Sequence, residues 1–308
     1  MLLKTFESRR SGGELHPAAG WGGVMTLVLC CGAIGCGPAG GLPGEMGDGE
    51  ELGSTAQRVS EDNGLNTNGL NTNGLSTASF ASWFQGDPTL RDEVMKYLVA
   101  CAVPSGQTRT YTDSSTNTTY TWSGALGLAT NWASGNTPTT TEQQVVSACM
   151  AAHANKFGLH VIISLRGLDG AGNTIPTTSQ EVTDYTLQEG CFFGNLFDGS
   201  TGTFGGNDGI SLTSSQSSPR VCAMAGSPTA SQCSPMTYVG SCSTYCTRDA
   251  TNTFYTSCTY GGVTYRPITT RMNPADIYSC GDGVCQATEH CGTGTTPDSC
   301  AADCGACP

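Results

Sequence analysis

Charge is scarce in this chain. Asp, Glu, Lys and Arg make up only 12% of its 308 residues, about half the share of an ordinary soluble domain. Lys and Arg number 13 against 25 Asp and Glu, for a net charge of -12, and no basic cluster interrupts the acidity. A surface that tracks phosphates is therefore excluded, and with it nucleic acid as a partner. No apolar run approaches the roughly 20 residues that a membrane-spanning helix needs. A Gly-x-Ser-x-Gly elbow, a His-Glu-x-x-His helix, a phosphate loop and a dinucleotide fingerprint are all missing, which removes the enzyme classes these motifs announce.

Cysteine, by contrast, is abundant, with 17 residues. Cys30, Cys31 and Cys36 lie near the N-terminus, which leaves 14. Eight of these run from Cys101 to Cys258 and six from Cys280 to Cys307. Even numbers in both sets are what internal pairing requires. Cys101, Cys149, Cys191, Cys222, Cys233, Cys242, Cys246 and Cys258 are expected as disulfides of a main domain. Cys280, Cys285, Cys291, Cys300, Cys304 and Cys307 are expected as disulfides of a C-terminal module. The alternative, a set of zinc thiolates, needs a reducing compartment.

The N-terminal region reads as an export signal. Lys4, Arg9 and Arg10 precede Val24-Met-Thr-Leu-Val-Leu-Cys-Cys-Gly-Ala-Ile34. That run is too short to span about 30 Å of hydrocarbon but long enough for a signal-peptide core. Ala33-Ile34-Gly35-Cys36 resembles a lipobox, and the resemblance implies cleavage before Cys36 and its acylation. Ordinary cleavage with full secretion is the alternative. Residues 1–36 are thus expected to be a signal peptide of the lipoprotein type, with a lipid anchor as the sole contact with a membrane. The location that follows is extracytoplasmic, as an outer-membrane lipoprotein or a secreted protein.

Residues 37–79 are expected to form a flexible linker. The stretch 37–60 is rich in Gly, Pro, Glu and Asp. Asn-Gly-Leu then repeats, so that Leu65, Leu70 and Leu75 recur every five residues. Such a period suits a small β-solenoid, an irregular spacer, or a strand docked on the main domain.

For residues 80–272 the pattern predicts an α+β domain stapled by disulfides, with about two helices packed on an antiparallel sheet. Leu90, Val94, Leu98 and Cys101 share a helix face after Asp87-Pro88, with Thr89 and Asp92 as a capping box and Pro104 as the stop. A second helix is expected from about Thr141 to Phe157, with Gln144 in the capping-box position. Between the two, Thr108–Thr112 and Thr118–Trp122 predict a hairpin. A strand is expected over His160–Arg166, loops over 198–218 including a turn at Gly205–Gly209, and a last strand over Val263–Thr269.

Residues 273–308 carry the spacing C-x4-C-x5-C-x8-C-x3-C-x2-C. This resembles the cysteine-rich repeat at the C-termini of exported myxobacterial proteins. Gly127-Leu-Ala-Thr-Asn-Trp132, Val146-Ser-Ala-Cys-Met150 and Glu189-Gly-Cys-Phe-Phe-Gly-Asn-Leu-Phe197 resemble segments of uncharacterised members of that group, and no activity comes with the likeness. A module this small needs covalent bracing, and three disulfides would supply it. Asp282, Glu289, Asp298 and Asp303 lie beside its cysteines, where they suit either calcium or tight turns.

Catalytic candidates are few. His153, Asp184 and Glu189 are the residues that a secreted hydrolase would draw on, with Glu181, Asp198 and Asp208 as further acids. Cys149 and His153 stand one helical turn apart, the spacing of a thiol–imidazole pair. Trp83, Trp122, Trp132, Tyr111 and Tyr120 are either stacking faces for a polysaccharide or core. The leading expectation is an exported, envelope-anchored binding or structural protein of the cell surface or extracellular matrix. The competing one is a secreted hydrolase of an extracellular polymer.

Overall fold

The computed structural model describes residues 69–154, 162–198, 202–208 and 236–276, together with 281, 283, 285, 291 and 300–306. The expectations for the signal peptide, Cys36, residues 37–68, Cys222, Cys233 and Phe157 lie outside these residues.

The described part of the Asn-Gly-Leu repeat, residues 69–75, packs into the core and is not a linker. Leu70 is fully buried and Leu75 nearly so, and Thr72–Leu75 forms a single helical turn, α1, capped by Asn71. The glycines of the repeat explain the close fit. A Cβ on Gly69 would stand 2.1 Å from the Gly135 Cα, and one on Gly74 would stand 1.7 Å from the Gly69 carbonyl oxygen. Leu70 N donates to the Trp132 carbonyl at 2.9 Å, and Arg109 donates to the carbonyls of Leu70 and Ala133. Residues 69–79, expected as linker, therefore belong to the folded domain. Leu70→Ala is expected to cost about 2–5 kcal/mol, as for any buried leucine. A residue in a tether would cost nothing, and chemical denaturation separates the two.

Helices α2 (Ala78–Gly86) and α3 (Pro88–Ala102) follow. The α3 cap is Asp87, which accepts from Leu90 N at 3.2 Å, and not the expected Thr89–Asp92 box. Pro88 is the reason: its fixed φ and missing N–H suit the first helical position, so the helix starts one residue before Thr89. Asp92 instead accepts from Trp122 Nε1 at 2.7 Å. Strands β1 (Thr108–Asp113) and β2 (Thr118–Ser123) form the expected hairpin. Its inner face packs Tyr111, Tyr120 and Trp122 on the helices.

After the short α4 (Thr130–Ala133), α5 covers Thr140–His153. Its capping box is Thr139 with Glu142, two residues earlier than expected. Glu142 is buried and also accepts from Asn131 N at 2.7 Å, so one carboxylate serves the starts of α4 and α5. Gln144, freed from capping, accepts from Arg266 N at 3.1 Å and ties the helix to the C-terminal strands.

The remaining elements are β3 (Ser164–Gly167), α6 (Ser179–Asp184), β4 (Leu187–Asn195), β5 (Gly202–Asn207), β6 (Met236–Ser241), α7 (Cys242–Tyr245), β7 (Cys246–Arg248), β8 (Tyr255–Tyr260), β9 (Val263–Tyr265) and β10 (Ile268–Met272). A short 3-10 turn (Pro274–Asp276) and α8 (Ala301–Cys304) complete the described residues. Five strands pair in the order β3-β10-β4-β5-β6 and three in the order β7-β8-β9. Pairing is antiparallel except for β5 with β6. The stretch expected as loop over 198–218 contains β5, so Gly205–Asn207 is strand and not turn. The single strand expected over Val263–Thr269 is two strands, parted at Arg266-Pro267, since proline cannot donate to a ladder.

The architecture is α+β, as the sequence predicts, with a layer that the sequence reading did not include. Along β4 successive side chains alternate between two cores. Phe192 joins the helices and the hairpin. Cys191 and Phe193 join Phe204, Cys242, Tyr255, Cys258 and Tyr265 under the second sheet. Disulfides hold the layers: Cys101–Cys149 pins α3 to α5, Cys191–Cys242 ties β4 to α7, and Cys246–Cys258 crosses from β7 to β8. Cys285–Cys304 closes the C-terminal module, where Cys291 and Cys300 are disulfide-bonded too.

Candidate functional site

Two groups of side chains carry chemistry between the layers. The first surrounds Asp208, just past β5, whose side chain is wholly buried. Its backbone N donates to the Glu189 carbonyl at 3.0 Å, which continues the ladder and turns the carboxyl inward. Arg248 from β7 donates to Asp208 Oδ1 and to the Tyr255 hydroxyl at 2.8 Å, and that hydroxyl donates to Asp208 Oδ1 at 3.3 Å. The guanidinium also lies 4.4 Å from the Tyr255 ring centroid, a distance at which the ring quadrupole attracts a cation.

The circle widens on the central sheet. Arg271 of β10 donates to the Thr186 carbonyl at 3.0 Å and to Gln188 Oε1 at 3.4 Å. Arg166 of β3 donates to the Glu181 carbonyl at 3.4 Å, while Ser164 donates to Glu181 Oε1 at 2.8 Å. Three buried atoms in this set, Asp208 Oδ2, Gln188 Nε2 and Arg166 Nε, have no hydrogen-bond partner among the described residues.

Burial pushes the Asp208 carboxyl above the usual carboxylate range, against the opposing pull of the Arg248 charge and its hydrogen bond. The Gln188 amide adds a weaker pull in the same sense as Arg248, although neither Gln188 Nε2 nor Asp208 Oδ2 closes a bond of normal geometry. Burial, helped by the Asp208 charge, pushes the Tyr255 hydroxyl up to about 12. Burial lowers Arg166 and Arg271. The carboxyl, the phenol and the guanidinium thus form one buried polar group. It braces β5 against β7 and β8.

The second group is sulfur. Cys246 Sγ lies 3.7 Å from Cys191 Sγ, although each belongs to a different disulfide. Cys191, Cys246 and Cys258 bring their sulfurs within 4.8 Å of one another, as Cys101 and Cys149 do with His153. Both sets could hold a metal ion by geometry alone. Their sulfurs are engaged in disulfides, which removes the thiolates that zinc would need.

The catalytic candidates from the sequence occupy three separate elements. His153 ends α5, donates from Nδ1 to the Cys149 carbonyl at 2.8 Å, and lies 5.2 Å from the Tyr97 ring. The thiol–imidazole pair is not formed, because Cys149 is bonded to Cys101. Asp184 ends α6 and accepts from Gln180 Nε2 at 2.7 Å. Glu189 is buried in β4. Asp208 is the candidate acid around which charge does gather.

The aromatic residues form no stacking face. Trp83, Trp122, Trp132 and Tyr111 are buried, and Tyr120 packs on them. Asp282, Glu289 and Asp298 of the calcium set lie outside the described residues. Asp303 accepts from Gly281 N at 2.5 Å and from Gly283 N at 2.9 Å, so its two oxygens hold a turn. Arg248, Tyr255, Gln188, Arg271 and Arg166 were not expected from the sequence. A lone arginine inside a strand pattern, as in Ser164-Leu-Arg-Gly167 or Ile268-Thr-Thr-Arg-Met272, was the one available signal.

Among the described residues no helix is long and apolar enough to cross a membrane. Comparison with protein-family models, with curated proteins and with solved structures finds no match for this chain.

Proposed function

We propose that the chain is an exported, envelope-anchored binding or structural protein acting at the cell surface or in extracellular matrix. We also propose that its C-terminal module is a cysteine-rich repeat of the myxobacterial type. The observation that carries this reading is the disulfide framework. It joins helix to helix, strand to helical turn and strand to strand, an arrangement maintained in oxidising compartments. With the large rings in the core, a neutral polysaccharide would meet hydroxyls instead. Thr108, Thr110, Thr112, Thr119, Thr121 and Ser123 are exposed on the outer face of the hairpin.

The test is cell fractionation of the wild type and of Cys36→Ser, with a mass map of each without reduction. The wild type is expected in the membrane fraction with its cysteines paired. Cys36→Ser is expected in the soluble extracytoplasmic fraction with the same pairing. Recovery of the wild type from the cytoplasm with free thiols would overturn the reading.

The competing reading, a secreted hydrolase of an extracellular polymer, would draw on Asp208, the candidate acid that Arg248 and Tyr255 surround. It requires that Asp208→Asn abolish turnover of such a polymer in a chain that still folds.

A further inference from the structure

We propose that Cys191, Cys242, Cys246 and Cys258 form one thiol-exchange site, at which an external dithiol enters through Cys246 and moves the partner of Cys191 from Cys242 to Cys246. Cys242 opens the single turn of α7 and Cys246 is its C-cap, with its N–H bonded to the Cys242 carbonyl. Residues four apart on a helical turn project toward the same side, so both sulfurs reach for the one sulfur that β4 supplies. Cys191 is bonded to Cys242 and stands 3.7 Å from Cys246 Sγ, a distance that leaves no room for an atom between them.

The sheet is shaped around this pair. A Cβ on Gly206 would lie 3.1 Å from Cys242 Sγ and 3.2 Å from Cys191 Sγ, so the glycine leaves a bed for the sulfurs. Access is unequal. Cys191, Cys242 and Cys258 are buried, while Cys246 is half-buried, so a reagent from solvent meets Cys246 first. Among the described residues the Cys101–Cys149 bond has no such neighbour: the third member of its cluster is His153.

The chemistry is thiol–disulfide exchange, in which a thiolate attacks one sulfur of a disulfide and expels the other. One sulfur of the dithiol attacks Cys246 Sγ, the Cys246–Cys258 bond breaks, and Cys258 leaves as a thiolate that takes up a proton. The second sulfur of the dithiol then attacks the mixed disulfide. This closes the reagent into its own disulfide and frees the Cys246 thiolate. That thiolate attacks Cys191 Sγ, forming Cys191–Cys246 and expelling Cys242, which is protonated in turn. Two electrons pass from the dithiol to the protein, and two disulfides become one disulfide and two thiols. The strand β7 is then tied to β4 and released from β8.

The wild-type protein treated with limiting dithiothreitol, quenched in acid, alkylated and digested without reduction tests this directly. The expected product is a Cys191–Cys246 peptide pair, with alkyl groups on Cys242 and Cys258. A digest in which Cys246 and Cys258 are alkylated and Cys191 remains solely with Cys242 overturns the proposal. Cys258→Ala offers a second reading, because it leaves Cys246 without its partner and needs no reductant. Cys191–Cys242 and Cys191–Cys246 are then expected in comparable amounts, since one bond is exchanged for another of the same kind. Full alkylation of Cys246 in that variant would refute exchange, and Cys246→Ala/Cys258→Ala serves as the control that keeps Cys191–Cys242 alone.

Discussion

Replacing Cys101 and Cys149 together by alanine is expected to lower the stability of the fold by about 4 kcal/mol, the chain-entropy value for a loop of this size. The two cysteines are 48 residues apart. The closed loop contains the hairpin and α4, so without the bond the unfolded chain regains the freedom of that whole segment. Small side chains flank both cysteines in sequence. Ala100, Ala102, Ala148 and Ala152 are all buried, and each contributes little apolar area of its own. Denaturant unfolding of the double variant checks the value. A midpoint that barely moves would mean that the unfolded chain holds this loop closed without sulfur.

Removing the Asp208 carboxylate should be nearly as costly, for a different reason. Arg248 is itself mostly buried, and Asp208→Ala would leave it with the Tyr255 hydroxyl as its remaining close polar side-chain contact in this group. Breaking one side of a buried pair typically costs about 3–5 kcal/mol, since the surviving charge keeps its desolvation penalty. The pH dependence gives a second readout. Because the folded carboxyl is pushed above its unfolded value, the fold binds this proton more tightly than the unfolded chain does. The contribution is therefore fully present below the unfolded pKa, about 3.9, and is lost as pH rises through the raised folded value. Asp208→Asn, which resembles the protonated acid, should lack that slope. Wild-type unfolding free energy, measured against that of Asp208→Asn, should therefore fall as pH rises from below the unfolded value. A constant difference would show that the group titrates alike in both states.

Much of the frame was legible beforehand because it depends on local chemistry. The apolar spacing of Val94 and Leu98 with Cys101 predicts α3, and Ser/Asn turn residues between Thr-rich runs predict the hairpin. Both stand where they were expected. Capping was misplaced at both helices, since a sequence offers several Ser, Thr and acid pairs and packing selects one. Glu142 prevails over Gln144 because it also reaches the amide of Asn131. Strand β5 escaped notice because Gly202-Thr-Phe-Gly-Gly-Asn207 has one large side chain and three glycines. It is a strand because β4 and β6 flank it.

By itself the sequence determined which residues could be covalently paired, that the polar surface would be poor in ions, and where the periodic helices begin and end to within a few residues. Those properties follow from composition and from repeats of 3.6 and 2 residues along the chain. Tertiary structure alone decided that Leu70 and Leu75 of the Asn-Gly-Leu repeat are buried and that the aromatic rings are core. It also decided that the charge of Asp208 meets Arg248 and Tyr255, and that two disulfides stand within reach of each other. The physical reason is distance along the chain: Asp208 and Arg248 are 40 residues apart, and Cys191 and Cys246 are 55. Only the pairing of strands brings such residues together, and no local periodicity records it.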